Sequence, residues 1–258
     1  HDQGVRLMKP MPSRFRLRST ARSLQRGFMS CGPTLLTPPS GGGGGFAAPT
    51  FHDSAKSGTD NSSGTSTATA DTLAVTAGDL IVVICKWEQA LAGSTVTVAD
   101  GTDTYSAATT AQAHTNNDLN MQMFWTVATT TGTRTITSTH SAARTYRRIA
   151  AMSFTMVAVS TGWALGNTVQ GTNGNSNASP TAGSLSATTP CVAIMGSGMY
   201  GDRTLTAGTG WTTQAEVATN VMICAEYQLL SGSASLTCDG AYSAGVEWLA
   251  HAAAFNQT

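Results

Sequence analysis

The chain has 258 residues, of which 41% are hydrophobic and only 11% charged, and its 14 bases balance 14 acids. That charge density is under half the usual quarter for soluble domains, while roughly one residue in six is threonine; this argues against a charged helical protein or an ordinary cytosolic enzyme and reads as all-β. No apolar run approaches the ~18 to 20 residues of a membrane span, since the run at 81–85 stops at Lys86 and Glu88, so no membrane partner is expected.

Taken in chain order, the zero net charge is a division. Residues 1–30 carry Arg6, Lys9, Arg14, Arg16, Arg18, Arg22 and Arg26 against Asp2 alone, a surplus of +6, and the remainder carries −6. A basic arm on an acidic body can neutralise nucleic-acid phosphates, dock on an acidic protein surface, or pair with a neighbouring copy. An Arg-rich, Ser-rich, acid-free targeting peptide is the lesser reading. Residues 31–49, CGPTLLTPPSGGGGGFAAP, form a linker stiffened by prolines and loosened by five consecutive glycines. Fully extended, arm and linker together reach on the order of 160 Å. The residues expected to bind a partner through the arm are Arg14, Arg16, Arg18, Arg22 and Arg26, with Phe15, Leu17, Leu24 and Phe28 as apolar anchors.

Residues 50–258 read as a β body: short runs of Val, Ile, Thr and aromatics punctuated by Gly, Asn, Asp and Ser. Strands are predicted over 72–75, 79–87, 95–99, 104–109, 120–128, 133–138 and 145–155, and a polar loop over 166–184. The loop separates two similar halves, about 50–165 and 180–258. NMQMFWTVATTTGTRTIT from Asn120 aligns without gaps on NVMICAEYQLLSGSASLT from Asn220, and LAVTAGDLIVV from Leu73 matches LSATTPCVAIM from Leu185. Two such strand sets, each with one buried face, predict an antiparallel β-sandwich of jelly-roll type closed face to face. Two separate small sandwiches are the alternative.

Motifs with chemical meaning are weak on context. GSGMYG at 196–201 fits a dinucleotide fingerprint, but DRTLTAGTGWTT follows it where a helix is required. Asp100 and Asp103, with Asp118, could approach a calcium ion, yet Asp100-Gly101 between alternating runs is a hairpin signal. Glu88, Glu216, Glu226 and Glu247 have no spacing that pairs two of them, and Glu226 and Glu247 in β runs read as solvent-facing. His52, His114, His140 and His251 lack an orienting partner in the sequence, and no GxSxG elbow occurs. Cys31, Cys85, Cys191, Cys224 and Cys238 include no CxxC pair, and three lie in apolar runs where thiols behave as small hydrophobes. Arg144, Tyr146 and Arg148 share one face of an ideal strand and form a candidate inter-subunit patch. No catalytic residue, metal site or cofactor is expected.

The segments PTFHDSAKSGTDNSSGTSTATADTLAVTAGDLIVVICKWE, with its leading extended stretch, STVTVADGTDTYSAA, MQMFWTVATTTGTRTITSTHSA and RRIAAMSFTMV resemble a β-sandwich domain recurrent in bacteriophage structural proteins. The resemblance lies in the AGDLIVV strand, the V-x-V-x-D-x-x-x-x-x-Y hairpin, an aromatic strand before a G-x-x-x-I-T strand, and a closing AAxSF strand. It implies a virion structural role without catalytic residues.

The expectation is therefore a non-enzymatic capsid decoration or cement protein, homo-oligomeric, bound through its arm to capsid or other virion subunits. Within that class, a tail or fibre component, or a shell protein whose arm meets nucleic acid, is the alternative. From another class, Trp87, Trp125, Trp163, Trp211 and Trp248 could supply a stacking platform for a secreted carbohydrate-binding or adhesive module.

Overall fold

The computed structural model describes residues 47–58, 60–88, 95–114, 119–157, 160–172, 177–188, 190–201, 203–217 and 222–258. The arm and residues 31–46 of the linker, including every arm residue named above, lie outside them. The described residues are all-β, 69% strand with no helix. The first part of the chain forms β1 (Thr50–Lys56), β2 (Gly64–Ala68), β3 (Leu73–Val75), β4 (Leu80–Glu88), β5 (Val96–Ala99), β6 (Ser106–Ala107), β7 (Gln112–Ala113), β8 (Leu119–Val127), β9 (Gly132–Arg134) and β10 (Thr137–Thr155). The second forms β11 (Trp163–Thr172), β12 (Thr181–Ala187), β13 (Cys191–Met199), β14 (Leu205–Ala207), β15 (Thr212–Val217), β16 (Ile223–Leu230), β17 (Ala234–Tyr242) and β18 (Trp248–Gln257).

These strands build four stacked layers around three cores. One inner sheet runs β1-β10-β4-β8 with β6 and β7 on β8, and the other runs β11-β18-β13-β16-β15. All strand pairs are antiparallel. Along β4, Leu80, Val82 and Ile84 enter a central core shared with Val192, Ile194, Leu249, Ala253 and Phe255 of the second inner sheet. The alternate residues Ile81, Val83, Cys85 and Trp87 turn the other way, against Leu73, Val75, Val96, Val98 and Ile136. On β13 and β18, Cys191, Ala193, Met195, Ala250, Ala252 and Ala254 likewise face an outer sheet of order β12-β17-β14.

This differs from a single sandwich in which each sheet has one wet face. Every residue of β4 and of β13 is buried. A run such as LIVVIC has no polar residue to offer solvent at either phase of its period-2 alternation, so the strand needs cover on both sides. The two inner sheets do pack face to face, and each carries a second layer on its back.

The 19-residue strand β10 passes between layers. Its first residues, Thr137–His140, pair with β5, and Thr137–Thr139 also pair with β2; Thr145 pairs with Glu88 of β4, and after a register shift the pairing with β4 continues from Arg148 onward. The register shifts between Thr145 and Arg148, and Tyr146 has φ of +49°. A bulge of this kind lets a strand turn a corner between sheets. The polar stretch predicted as a loop over 166–184 instead supplies most of β11 and the start of β12. Its residues pair at the edge beside β18, and a Cβ on Gly171 would lie 1.9 Å from the Thr181 carbonyl oxygen. Only glycine permits that approach.

Candidate functional site

The bulge in β10 overturns the expected arginine face. Arg144 and Tyr146 are half-buried, whereas Arg147 and Arg148 are buried. Arg148 donates to the Asp60 carbonyl and to Asn61 Oδ1, both at 2.7 Å, and Arg147 pairs with the Asp60 carboxylate and donates to the carbonyls of Ser62, Gly64 and Ser66. Ideal alternation would have put Arg148 beside Arg144. The extra residue at the corner draws its guanidinium inward onto Asp60 and Asn61, while Arg147 holds residues 62–66, so Arg144, Tyr146 and Arg148 do not form a common exposed patch.

Other sequence candidates are absorbed by structure. Gly196 and Gly198 lie inside β13, and a Cβ on Gly196 would stand 2.7 Å from Ile84 Cδ1 across the central core. Asp100 accepts the Thr102 and Asp103 amides and the Tyr105 hydroxyl, as a hairpin Asx residue does. Asp103 accepts both Thr129 donors and, like Asp100, lies 3.4 Å from Arg134 Nε. Burial raises the Asp103 pKa, but the Thr129 and Arg134 donors outweigh it and hold the carboxyl below its usual value. Asp118 lies outside the described residues. Glu88 pairs with the buried Lys86 at 3.1 Å, and Glu247 lies 3.8 Å from His114. The side chain of Glu216 is outside the described residues.

His251 is a satisfied core histidine. Its Nδ1 is 2.8 Å from Thr109 Oγ1 and its Nε2 is 3.1 Å from Gln112 Oε1, so the contact joins β18 to the residues leading into β8. Burial pushes its pKa down to about 3, leaving a neutral imidazole at neutral pH. Cys85, Cys191, Cys224 and Cys238 are buried. Trp87, Trp163, Trp211 and Trp248 are buried and Trp125 is half-buried, so they do not make an exposed coplanar platform. Three indole N–H groups donate internally: Trp163 to the Gly78 carbonyl, Trp211 to the Thr237 carbonyl and Trp248 to Asn177 Oδ1.

One place combines a pocket with unsatisfied polar chemistry. A surface pocket of about 330 Å³ is lined by Thr209, Trp211, Gln228, Ser235, Leu236, Thr237 and Asp239. It lies where β17, paired to β12 on one side, meets the turn leaving β14 on the other. That turn, 208–211, depends on its glycines. A Cβ on Gly208 would lie 2.1 Å from the Asp239 carbonyl oxygen and 2.6 Å from its Oδ1, and Gly210 has φ of +84° with Gln228 Nε2 2.5 Å from where a Cβ would sit. Side-chain substitution at either would displace a pocket wall.

Gln228 Oε1 is buried without a hydrogen-bond partner, Asp239 is a carboxylate, and none of the lining residues is a base. Behind the pocket, Glu226 is 1% exposed, correcting the expectation that it faces solvent. Neither of its carboxylate oxygens meets a partner in hydrogen-bond geometry. Burial, helped by the Asp239 charge and opposed by the nearby Gly208 amide, pushes Glu226 up to about 7. Trp211, Gln228 and Asp239 come from three separate segments, so nothing local in the sequence groups them. The visible local signal was AGTGW, a double-glycine turn. Compared with protein-family models, with curated proteins and with solved structures, the chain matches none.

Proposed function

We propose that the protein is a non-enzymatic structural component of a phage-like virion, a capsid decoration or cement protein whose β body sits on the particle and whose basic arm binds neighbouring capsid or virion subunits. The observation that carries this reading is the division of positive charge. Of the seven bases after residue 30, Lys86, Arg134, Arg147 and Arg148 are buried in the body, and only Lys56, Arg144 and Arg203 are even partly exposed. The seven bases of residues 1–30 therefore outnumber the three bases of the described body that are even partly exposed. Thr- and Ser-rich strands on an extensively packed scaffold suit passive surface work.

The same reading takes the body as a duplicated sandwich of jelly-roll type. Its support is the parallel order of the two inner sheets: Leu80 pairs with Phe154 and Val127, as Val192 pairs with Phe255 and Leu229. Outside them, β3 pairs with β9 as β12 pairs with β17.

Antibody labelling of native particles in the electron microscope tests the function. Regular exterior labelling, lost when residues 1–45 are deleted, is the expected result. A protein that never co-purifies with particles, or a truncated chain that incorporates fully, overturns it.

A further inference from the structure

We infer that the pocket between Trp211, Thr237 and Asp239 is a binding site for one neutral sugar ring. It lies wholly within the β body, and its ligand does not depend on the virion role. Elsewhere in the body the polar side chains that the sequence singles out are engaged: Asp100 and Asp103 by backbone and hydroxyl donors, His251 by Thr109 and Gln112, Arg147 and Arg148 by the 60–66 segment. Here Thr209, Ser235, Thr237 and Asp239 converge on one concave space, and among the described residues none of these four side chains enters a hydrogen bond or ion pair. Half-buried Gln228 adds a carboxamide whose Oε1 also lacks a partner.

The lining selects among ligands. No base lines the pocket, so a phosphate, sulfate or carboxylate would meet Asp239 with no countercharge. No group of three His, Cys, Asp or Glu side chains that could hold a metal occurs among the described residues, and one carboxylate falls short of the roughly six to eight oxygens of a calcium shell. An added peptide strand is unsuited as well. Trp211 donates its indole N–H to the Thr237 carbonyl at 3.0 Å and so occupies the edge of β17 that such a strand would use. With its N–H spent there, the indole offers the pocket carbon surface. Around that surface stand hydroxyls, a carboxamide and a carboxylate, a set that both donates and accepts. A pyranose is built to match, with C–H groups on a ring face and hydroxyls around its rim, and the two oxygens of a carboxylate accept from adjacent hydroxyls at once. The volume, about 330 Å³, stands at the small end of the ~300 to 1,000 Å³ usual for ligand sites, which is room for one ring rather than a chain of them.

Titration of the isotope-labelled full-length chain, followed by NMR, tests this. The probes are the methyl glycosides of glucose, galactose, mannose, fucose and N-acetylglucosamine, with methylguanidinium chloride and calcium chloride alongside. At least one glycoside should shift the amide resonances of residues 209–211 and 235–239 and the Trp211 indole resonance, with a Kd on the order of 1 mM. Asp239→Asn should weaken that binding about tenfold or more, and Thr237→Val, at an exposed position, about three- to tenfold. Unchanged resonances around Ile84 and Ile194 in the central core show that both variants are folded. No shift with any glycoside, shifts centred elsewhere, or equal binding by the Asp239→Asn chain overturns the assignment. Methylguanidinium or calcium bound at these residues in place of the sugars overturns it too, in favour of a cation site. The virion role is untouched by any of these results and fails separately if the chain lacking residues 1–45 still incorporates into particles.

Discussion

Tyr227 on β16 meets Phe154 on β10 edge-on, with ring centroids 5.4 Å apart and planes inclined at 71°. Phe51 stacks on the same tyrosine at 5.2 Å, and across the core Trp125 packs against Phe255 at 5.7 Å. These contacts join the two inner sheets, and aromatic pairs add ~0.5 to 1.5 kcal/mol beyond their area burial. Phe154→Ala should therefore cost about 3 to 5 kcal/mol. Because the central core belongs to both sheets, denaturant unfolding followed by tryptophan fluorescence and by circular dichroism should shift as one transition. Two separated transitions would show that the halves unfold independently.

The facing pair Ile84 and Gly196 gives a second test of that core. With Ile84 Cδ1 at 2.7 Å from an added Cβ, Gly196→Ala should destabilise by about 1 to 3 kcal/mol through overpacking. Ile84→Val removes the crowding methyl, so the double variant should be more stable than the sum of the single effects predicts. Strict additivity in thermal or denaturant unfolding would mean that the two side chains do not meet.

Much of the fold was legible because strand signals are local. The predicted runs 72–75, 95–99 and 120–128 fall within a residue of β3, β5 and β8 at each end, and turn residues such as Gly78 and Gly101, both at positive φ, mark real reversals. The number of layers was less legible. A continuous apolar run shows that a strand is covered, but does not show what covers it. Glu226 shows the same limit: in a strand buried on both faces, alternation no longer distinguishes a wet side. The pocket was hidden because its walls are distant in sequence.

Lys86 gives a pH prediction of one sign. Burial pushes its ammonium down to about 7, partly offset by Glu88. Between that value and its unfolded pKa near 10.5, the unfolded chain binds more protons than the folded one, so stability contributed at this site rises with pH across the window. The slope approaches ~1.4 kcal/mol per pH unit. Lys86→Met should flatten unfolding free energy against pH between 7 and 10 relative to wild type. An unchanged slope would remove the buried lysine as its source.

Glu226 has the opposite sign. Its carboxyl lies between the inner sheet and the outer β17 layer, with Asp239 and the buried Cys238 thiol beside it and only the Gly208 amide to ease a charge. Raising its pKa from 4.5 to about 7 means that the folded state holds a proton the unfolded state has released throughout that window. The stability tied to this proton is complete below pH 4.5 and is lost as pH climbs through 7, amounting to about 3 kcal/mol in all. His140 works against it, since burial and then the charges of Arg147 and Arg144 push its pKa down to about 4, and His251 does likewise; single-site differences therefore isolate the effect better than the whole profile. Glu226→Gln should gain on wild type steadily from pH 5 to pH 8 and hold a constant advantage above that. A difference between the parent and the glutamine variant that is flat from pH 4 to pH 8 would show that Glu226 is not carrying an uncompensated buried charge.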